Sequence, residues 1–149
     1  MSPRLKAIPP IKALMTPFPY FIDLDAPLER AREMMEPQQI RHLPVMSEGR
    51  LVGVVSAPAM IRALEAAAGE PLTEELLVRD VAQLEPYIVD LSVPADVVLT
   101  QMAQRHVDVA VVVKHGRLAG IFTMTDAYRG FADLLRTQFP SPAGGDEAA

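Results

Sequence analysis

Pro19-Tyr20-Phe21-Ile22-Asp23-Leu24-Asp25-Ala26-Pro27 returns sixty-seven residues later as Pro86-Tyr87-Ile88-Val89-Asp90-Leu91-Ser92-Val93-Pro94. At the same offset, Gly49-Arg50-Leu51-Val52-Gly53 returns as Gly116-Arg117-Leu118-Ala119-Gly120. Residues 11–64 align with 78–131 without a gap, so the chain carries an internal duplication. Two copies of this length are too few and too long for a solenoid. They point instead to two half-domains facing each other, with clefts between them.

Each copy reads β-α-β-β-α after a short lead-in. Residues 20–22 and 87–89 are aromatic and β-branched runs suited to strands. Asp25 and Ser92 then stand as expected helix N-caps, each with a proline two residues on. Leu28, Ala31 and Met35, and again Ala95, Val98 and Met102, recur at helical spacing and predict core-facing stripes. Residues 42–46 with 51–55, and 109–113 with 118–122, predict two hairpins whose apolar strands are covered on both faces. Gly49 and Gly116 sit in the turns, where positive φ is needed, and Gly53 and Gly120 mark a bulge or a close backbone approach. A last helix closes each copy, over residues 57–68 and 124–135. Residues 65–77 are expected to form an acidic connector with one helical turn at 73–77, and residues 136–149 a flexible tail.

Composition limits the function. Of 149 residues, 50% are hydrophobic and only 22% charged, so the bulk of the chain folds. There is no cysteine, which excludes disulfides and thiolate metal sites and agrees with a cytoplasmic protein. The first residues lack the apolar segment of a signal peptide. The most apolar stretch, 51–68, is interrupted by Pro58, Arg62 and Glu65, so no membrane span is expected. The net charge of −5 is unevenly placed and leaves no basic face; four glutamates lie in the connector, and nucleic acid is a poor partner. His42, His106 and His115 lack metal-ligand spacing, and no nucleophile elbow or phosphate loop is present. No catalytic residue and no metal site is assigned. Asp23 and Asp90 recur directly after a strand, which suits a structural role.

The tandem copies, with Ile40-Arg41-His42-Leu43-Pro44-Val45 and Gly49-Arg50-Leu51-Val52-Gly53-Val54-Val55-Ser56, resemble a CBS-domain pair, or Bateman module. Residues 11–17 look like the usual entry to its first domain. The resemblance covers residues 11–131. It implies an α/β (α+β) fold of two β-α-β-β-α repeats packed through their sheets about a pseudo-twofold axis. It also implies homodimers and a cleft that senses an adenine nucleotide or adenosyl compound such as AMP, ADP, ATP or S-adenosylmethionine. A signal would then pass across the dimer or to an unidentified protein partner. The alternative is a scaffold or dimerisation module that binds no nucleotide.

The differences between copies point to the site. In Gly120-Ile121-Phe122-Thr123-Met124-Thr125-Asp126, the family pattern assigns Thr123 and Asp126 to the ligand's ribose. A carboxylate accepts two hydrogen bonds side by side, which suits a vicinal diol. The same residues also read as a helix capping pair. Repeat one keeps Ser56 but has Ala59 in place of the carboxylate, and Pro58 removes an N–H. One competent ribose site is therefore expected in repeat two, and a weak or empty one in repeat one. Arg41 and His42, whose equivalents are Asp108 and Val109, are the family's candidates for phosphate. Val89, Val109, Ala110 and Val111 are its candidates for an adenine slot, although core packing explains them as well.

Overall fold

The computed structural model describes residues 7–17, 19–69, 75–139 and 141. The chain enters through a 3-10 turn (Ile11–Ala13) and strand β1 (Thr16–Pro17). It continues with β2 (Ile22–Asp23), α1 (Leu28–Gln38), β3 (His42–Ser47), β4 (Arg50–Ser56) and α2 (Ala57–Ala67). The second copy repeats the series: a 3-10 turn (Val78–Asp80), β5 (Gln83–Leu84), β6 (Ile88–Asp90), α3 (Ala95–Arg105), β7 (Val109–Lys114), β8 (Arg117–Thr123) and α4 (Met124–Gln138).

Both expected hairpins form around mirror-image turns. Glu48 and Gly49 have φ of 51° and 78°, and His115 and Gly116 have 51° and 77°. Two successive positive φ values are what a two-residue hairpin loop requires. Each hairpin contains a bulge beside its inner glycine, between Val45 and Met46 and again between Val112 and Val113. The parallel pairs β2–β3 and β6–β7 are closed by the crossover helices α1 and α3.

The lead-ins belong to the opposite copies. β1, in the lead-in of repeat one, pairs with β8 of repeat two, and β5, in the lead-in of repeat two, pairs with β4 of repeat one. The two sheets therefore run β2-β3-β4-β5 and β1-β8-β7-β6. The registers are related by the sequence offset: Thr16 faces Ile121 as Gln83 faces Val54, and Pro17 faces Gly120 as Leu84 faces Gly53. This exchange explains the inner glycines. A Cβ on Gly53 would lie 2.7 Å from the Gln83 carbonyl oxygen, and one on Gly120 would lie 2.8 Å from that of Thr16. The entering backbone passes where a side chain would stand.

The cores follow the same exchange. Ile11 is fully buried among Val98, Met102, Ala110, Val112 and Phe122 of repeat two. Val78 is fully buried among Leu28, Met35, Leu43, Val55 and Met60 of repeat one. A smaller cluster of Val54, Val109 and Ile121 joins the two sheets at their interface. The apolar stripes expected on α1 and α3 all face these cores.

Three local expectations change. Asp25 and Ser92 are not N-caps; α1 and α3 begin after Pro27 and Pro94. The Asp25 and Ser92 N–H groups donate instead to the carboxylates of Asp23 (2.8 Å) and Asp90 (2.9 Å). An Asp bonding two residues ahead forms a local turn that competes with capping. Helix α4 runs to Gln138, so residues 136–138 are helical, while 142–149 lie outside the described residues. Of the turn expected at 73–77, residues 73 and 74 also lie outside, and Leu77 forms an isolated bridge with Pro27.

Candidate ligand-binding clefts

Two clefts open between the halves, and the offset of sixty-seven residues relates their walls. Cleft two, of about 480 Å3, is bordered by Thr16, Gln39, Ile40, Arg41, Ile121, Thr123, Asp126 and Arg129. Cleft one, of about 440 Å3, is bordered by their equivalents Gln83, His106, Val107, Asp108, Val54, Ser56, Ala59 and Arg62. His42 and Asp108 border both clefts.

The strand-to-helix junctions bring these residues together. The Ala57 N–H donates to the Arg41 carbonyl (2.8 Å) and the Met124 N–H to the Asp108 carbonyl (3.2 Å). Each last helix is thereby tied to the residue just before the hairpin. Arg41 enters the same cleft as Thr123 and Asp126, which are far away in sequence. All four residues expected at the ribose and phosphate ends of a ligand border cleft two.

Asp126 is 6% exposed and is the one buried charged side chain among the described residues. One oxygen, Oδ2, accepts from the Thr123 N–H at 2.9 Å and its hydroxyl at 3.4 Å. The other, Oδ1, accepts from the Thr16 hydroxyl at 3.0 Å and lies 3.5 Å from the Arg129 guanidinium. Both expected roles are thus compatible in geometry: the carboxylate satisfies the helix start and still borders the cleft. Thr16 comes from β1, the exchanged lead-in. At the other junction the polarity reverses, and the Ser56 hydroxyl accepts from the Ala59 N–H at 3.3 Å.

His42 is partly buried on the wall shared by the clefts. Burial disfavours its charged form and lowers its pKa from the ordinary imidazole value; Asp108 opposes that shift and Arg41 reinforces it. Arg41 makes no ion pair among the described residues, so its guanidinium is not already committed to a carboxylate.

The four residues expected to form an adenine slot do not meet in cleft two. Val89 and Ala110 lie in the repeat-two core, Val111 is fully buried, and Val109 borders cleft one. Strand β7 is buried on both faces, so its apolar residues are occupied by the core and the sheet interface. Ile40 and Ile121 are the aliphatic residues that do border cleft two.

Sequence reasoning missed the contributions of Thr16, Gln39, Gln83, Arg105 and His106. Gln39 and His106 end α1 and α3 with φ of 55° and 57°. Left-handed backbone is uncommon outside glycine, and here it occurs at equivalent positions on both cleft walls. Arg105 extends over the Tyr87 ring, 4.5 Å from its centre, at the edge of cleft one.

The family model described as CBS domain matches residues 11–66 and again residues 78–133. Hypoxic response protein 1 of Mycobacterium tuberculosis is 40% identical over 45 residues, which span 30% of this chain and about a third (32%) of that protein. A putative acetoin utilization protein (AcuB) from Vibrio cholerae superposes with a TM-score of 0.74 at 25% identity, over 89% of this chain and 97% of that one. The CBS domain of a bacterial CNNM/CorC family Mg2+ transporter, solved in complex with ATP, superposes with a TM-score of 0.71 at 26% identity, over 83% of this chain and 87% of that one. With the family model matched twice and the paired fold on the page, this chain belongs to the CBS-domain family as a tandem pair.

Proposed function

We propose that the protein is a regulatory module that senses an adenine nucleotide or adenosyl compound in cleft two. The observation that carries this reading is the buried Asp126 carboxylate at the cleft wall, with uncommitted Arg41 bordering the same cavity. Asp126 takes the ribose diol, displacing or sharing the Thr16 hydroxyl, since a carboxylate offers about four acceptor positions. Thr123 holds the carboxylate in place through its N–H and hydroxyl. Arg41 and the protonated form of His42 meet the phosphates, and Ile40 and Ile121 give the base an apolar surface. Asp108 limits how much anionic charge the cleft accepts. The ATP complex of the Mg2+-transporter CBS domain is consistent with an adenosine-containing ligand.

The ligand acts by differential affinity for two arrangements of the halves or of two protomers. The protein acts as a cytoplasmic homodimer with no catalytic activity of its own. Helix α4 supports pairing: its one buried residue is Asp126, while Tyr128 (67% exposed) and Phe131 (60%) lie near Leu135 on its open side. The same face favours the second reading, a scaffold that pairs without nucleotide.

Thermal unfolding with adenosine, AMP, ADP, ATP and S-adenosylmethionine separates the two readings. A ligand at a hundredfold over its Kd adds about 2.7 kcal/mol. A stabilisation by at least one of these ligands is expected, and no response to any of them leaves the scaffold. With Arg41→Gln, AMP and ATP weaken by about tenfold while adenosine does not. Equal weakening would remove Arg41 from the phosphate end.

A further inference from the structure

The loss of the carboxylate in repeat one does not leave cleft one blank. Its volume, about 440 Å3, is close to the 480 Å3 of cleft two. Where cleft two sets Arg41 and Arg129 against Asp108 and Asp126, cleft one sets Arg62 and Arg105 against Asp108 alone. His42 and His106 add two imidazoles that can donate. Arg105 is held at the rim by stacking on Tyr87 and by a long contact with Gln101, so part of its freedom is already lost before any ligand arrives. The strained left-handed backbone at His106 places its side chain on this wall, where a helix would normally end in glycine. The Ser56 oxygen accepts the Ala59 N–H, which leaves the hydroxyl proton free to donate into the cleft.

Such a wall has donors on several sides and no carboxylate at the diol position. It cannot recognise a ribose as cleft two does, but it suits an anion with many oxygens. We infer that cleft one is a separate site for a condensed phosphate, a di- or triphosphate chain, whose binding needs no vicinal diol. Arg62 and Arg105 pair with its oxygens, and His106 and Ser56 donate to the remainder. The chain can come from free inorganic polyphosphate or from the tail of a nucleotide. The inference does not rest on adenosyl binding in cleft two, and the two can fail separately.

Calorimetric titration of the full chain at neutral pH with sodium tripolyphosphate and with 2′,3′-dideoxy-ATP tests it. Both probes are expected to bind, and Arg62→Gln and Arg105→Gln each weaken them by about tenfold or more. Equal affinity for the two probes assigns the site to free polyphosphate; a dideoxy-ATP advantage of tenfold assigns it to a nucleotide tail. Arg62→Lys, which keeps the charge but not the fork, retains part of the binding and controls for folding. Failure of both probes to bind overturns the proposal. So does binding that Arg41→Gln abolishes and Arg62→Gln leaves intact, because the anion would then sit in cleft two. Adenosine, which carries no phosphate, reports on cleft two in the same samples.

Discussion

The two clefts have the same backbone and different chemistry. Strands, turns, bulges and even the unusual left-handed helix ends recur at an offset of sixty-seven residues. The side chains diverge at two places that matter. Asp126 faces one cleft where Ala59 faces the other, and Arg41-His42 begin one hairpin where Asp108-Val109 begin the other. Duplication lets the fold tolerate this divergence, because packing is carried by other positions. Each core is built from the α1 and α3 stripes, the hairpin strands and the exchanged Ile11 or Val78. The cleft walls are therefore free to specialise without disturbing the cores.

Exchanging the divergent carboxylate breaks the comparison most severely. On the proposed reading, Asp126→Ala removes the charged acceptor for both ribose hydroxyls. A hydrogen bond to a charged group contributes about 1.5–3 kcal/mol, so the Kd of a ribose-bearing ligand in cleft two should rise at least about a hundredfold by calorimetry. An unchanged Kd would mean that the ribose sits elsewhere. The reverse change, Ala59→Asp, places a carboxylate three residues after Ser56, where the Ser56 N–H could hold it as the Thr123 N–H holds Asp126. Tripolyphosphate binding in cleft one should fall roughly tenfold through like-charge repulsion, and sensitivity to the ligand's diol should appear.

The exchanged lead-ins offer a control in which the halves should respond alike. Gly53→Ala drives a methyl into the Gln83 carbonyl at 2.7 Å, and Gly120→Ala drives one into the Thr16 carbonyl at 2.8 Å and the Met15 sulfur. Backbone cannot yield as a flexible side chain can. Overpacking of this kind costs about 1–3 kcal/mol, or a fall in Tm of several degrees for a chain of this size. Gly120→Ala should also weaken ligand in cleft two, since Thr16 bonds Asp126, whereas Gly53→Ala should weaken cleft one through Gln83. Loss of stability without this split in binding would show that β1 and β5 serve the fold alone.

How much of this was legible depended on whether the signal was local. The hairpins were readable because Gly49 and Gly116 can supply positive φ between apolar runs, and the mismatch at Asp126 was readable because the copies align without gaps. The exchange of β1 and β5 was not. Both are two-residue strands, Thr16–Pro17 and Gln83–Leu84, with no periodicity to mark them and partners more than twenty residues away. The two readings left open for the expected adenine-slot residues have a related cause. In Val109-Ala110-Val111-Val112-Val113 every residue is apolar, so alternation could not say which side chains face the core and which the interface. The weak or empty ribose site expected in repeat one follows from Ala59 alone, a single local mismatch. Two donors of cleft one, Arg105 and His106, come from the end of α3, where no glycine announced the left-handed cap.

The smallest expected effect concerns the residue shared by both clefts. His42 has no titrating equivalent, since Val109 takes its place. Burial, reinforced by Arg41 and opposed by Asp108, holds its pKa in the folded chain below the unfolded imidazole value. The unfolded state therefore binds more protons in this window, and stability rises with pH there. Acidification from above about pH 6.5 down through the folded pKa should progressively destabilise the protein, with the loss complete once His42 is charged in both states. His42→Gln should flatten the dependence of Tm on pH across that window. Asp90 acts in the same direction but at lower pH, because the Ser92 hydroxyl and N–H hold its carboxyl below the usual range, so the two can be told apart. Anionic ligands favour the charged imidazole, and their affinity should strengthen as pH falls in the wild type and less so in the variant. Parallel pH profiles of Tm for wild type and His42→Gln would mean that the imidazole is solvated in solution, and that the wall between the clefts is looser than this geometry requires.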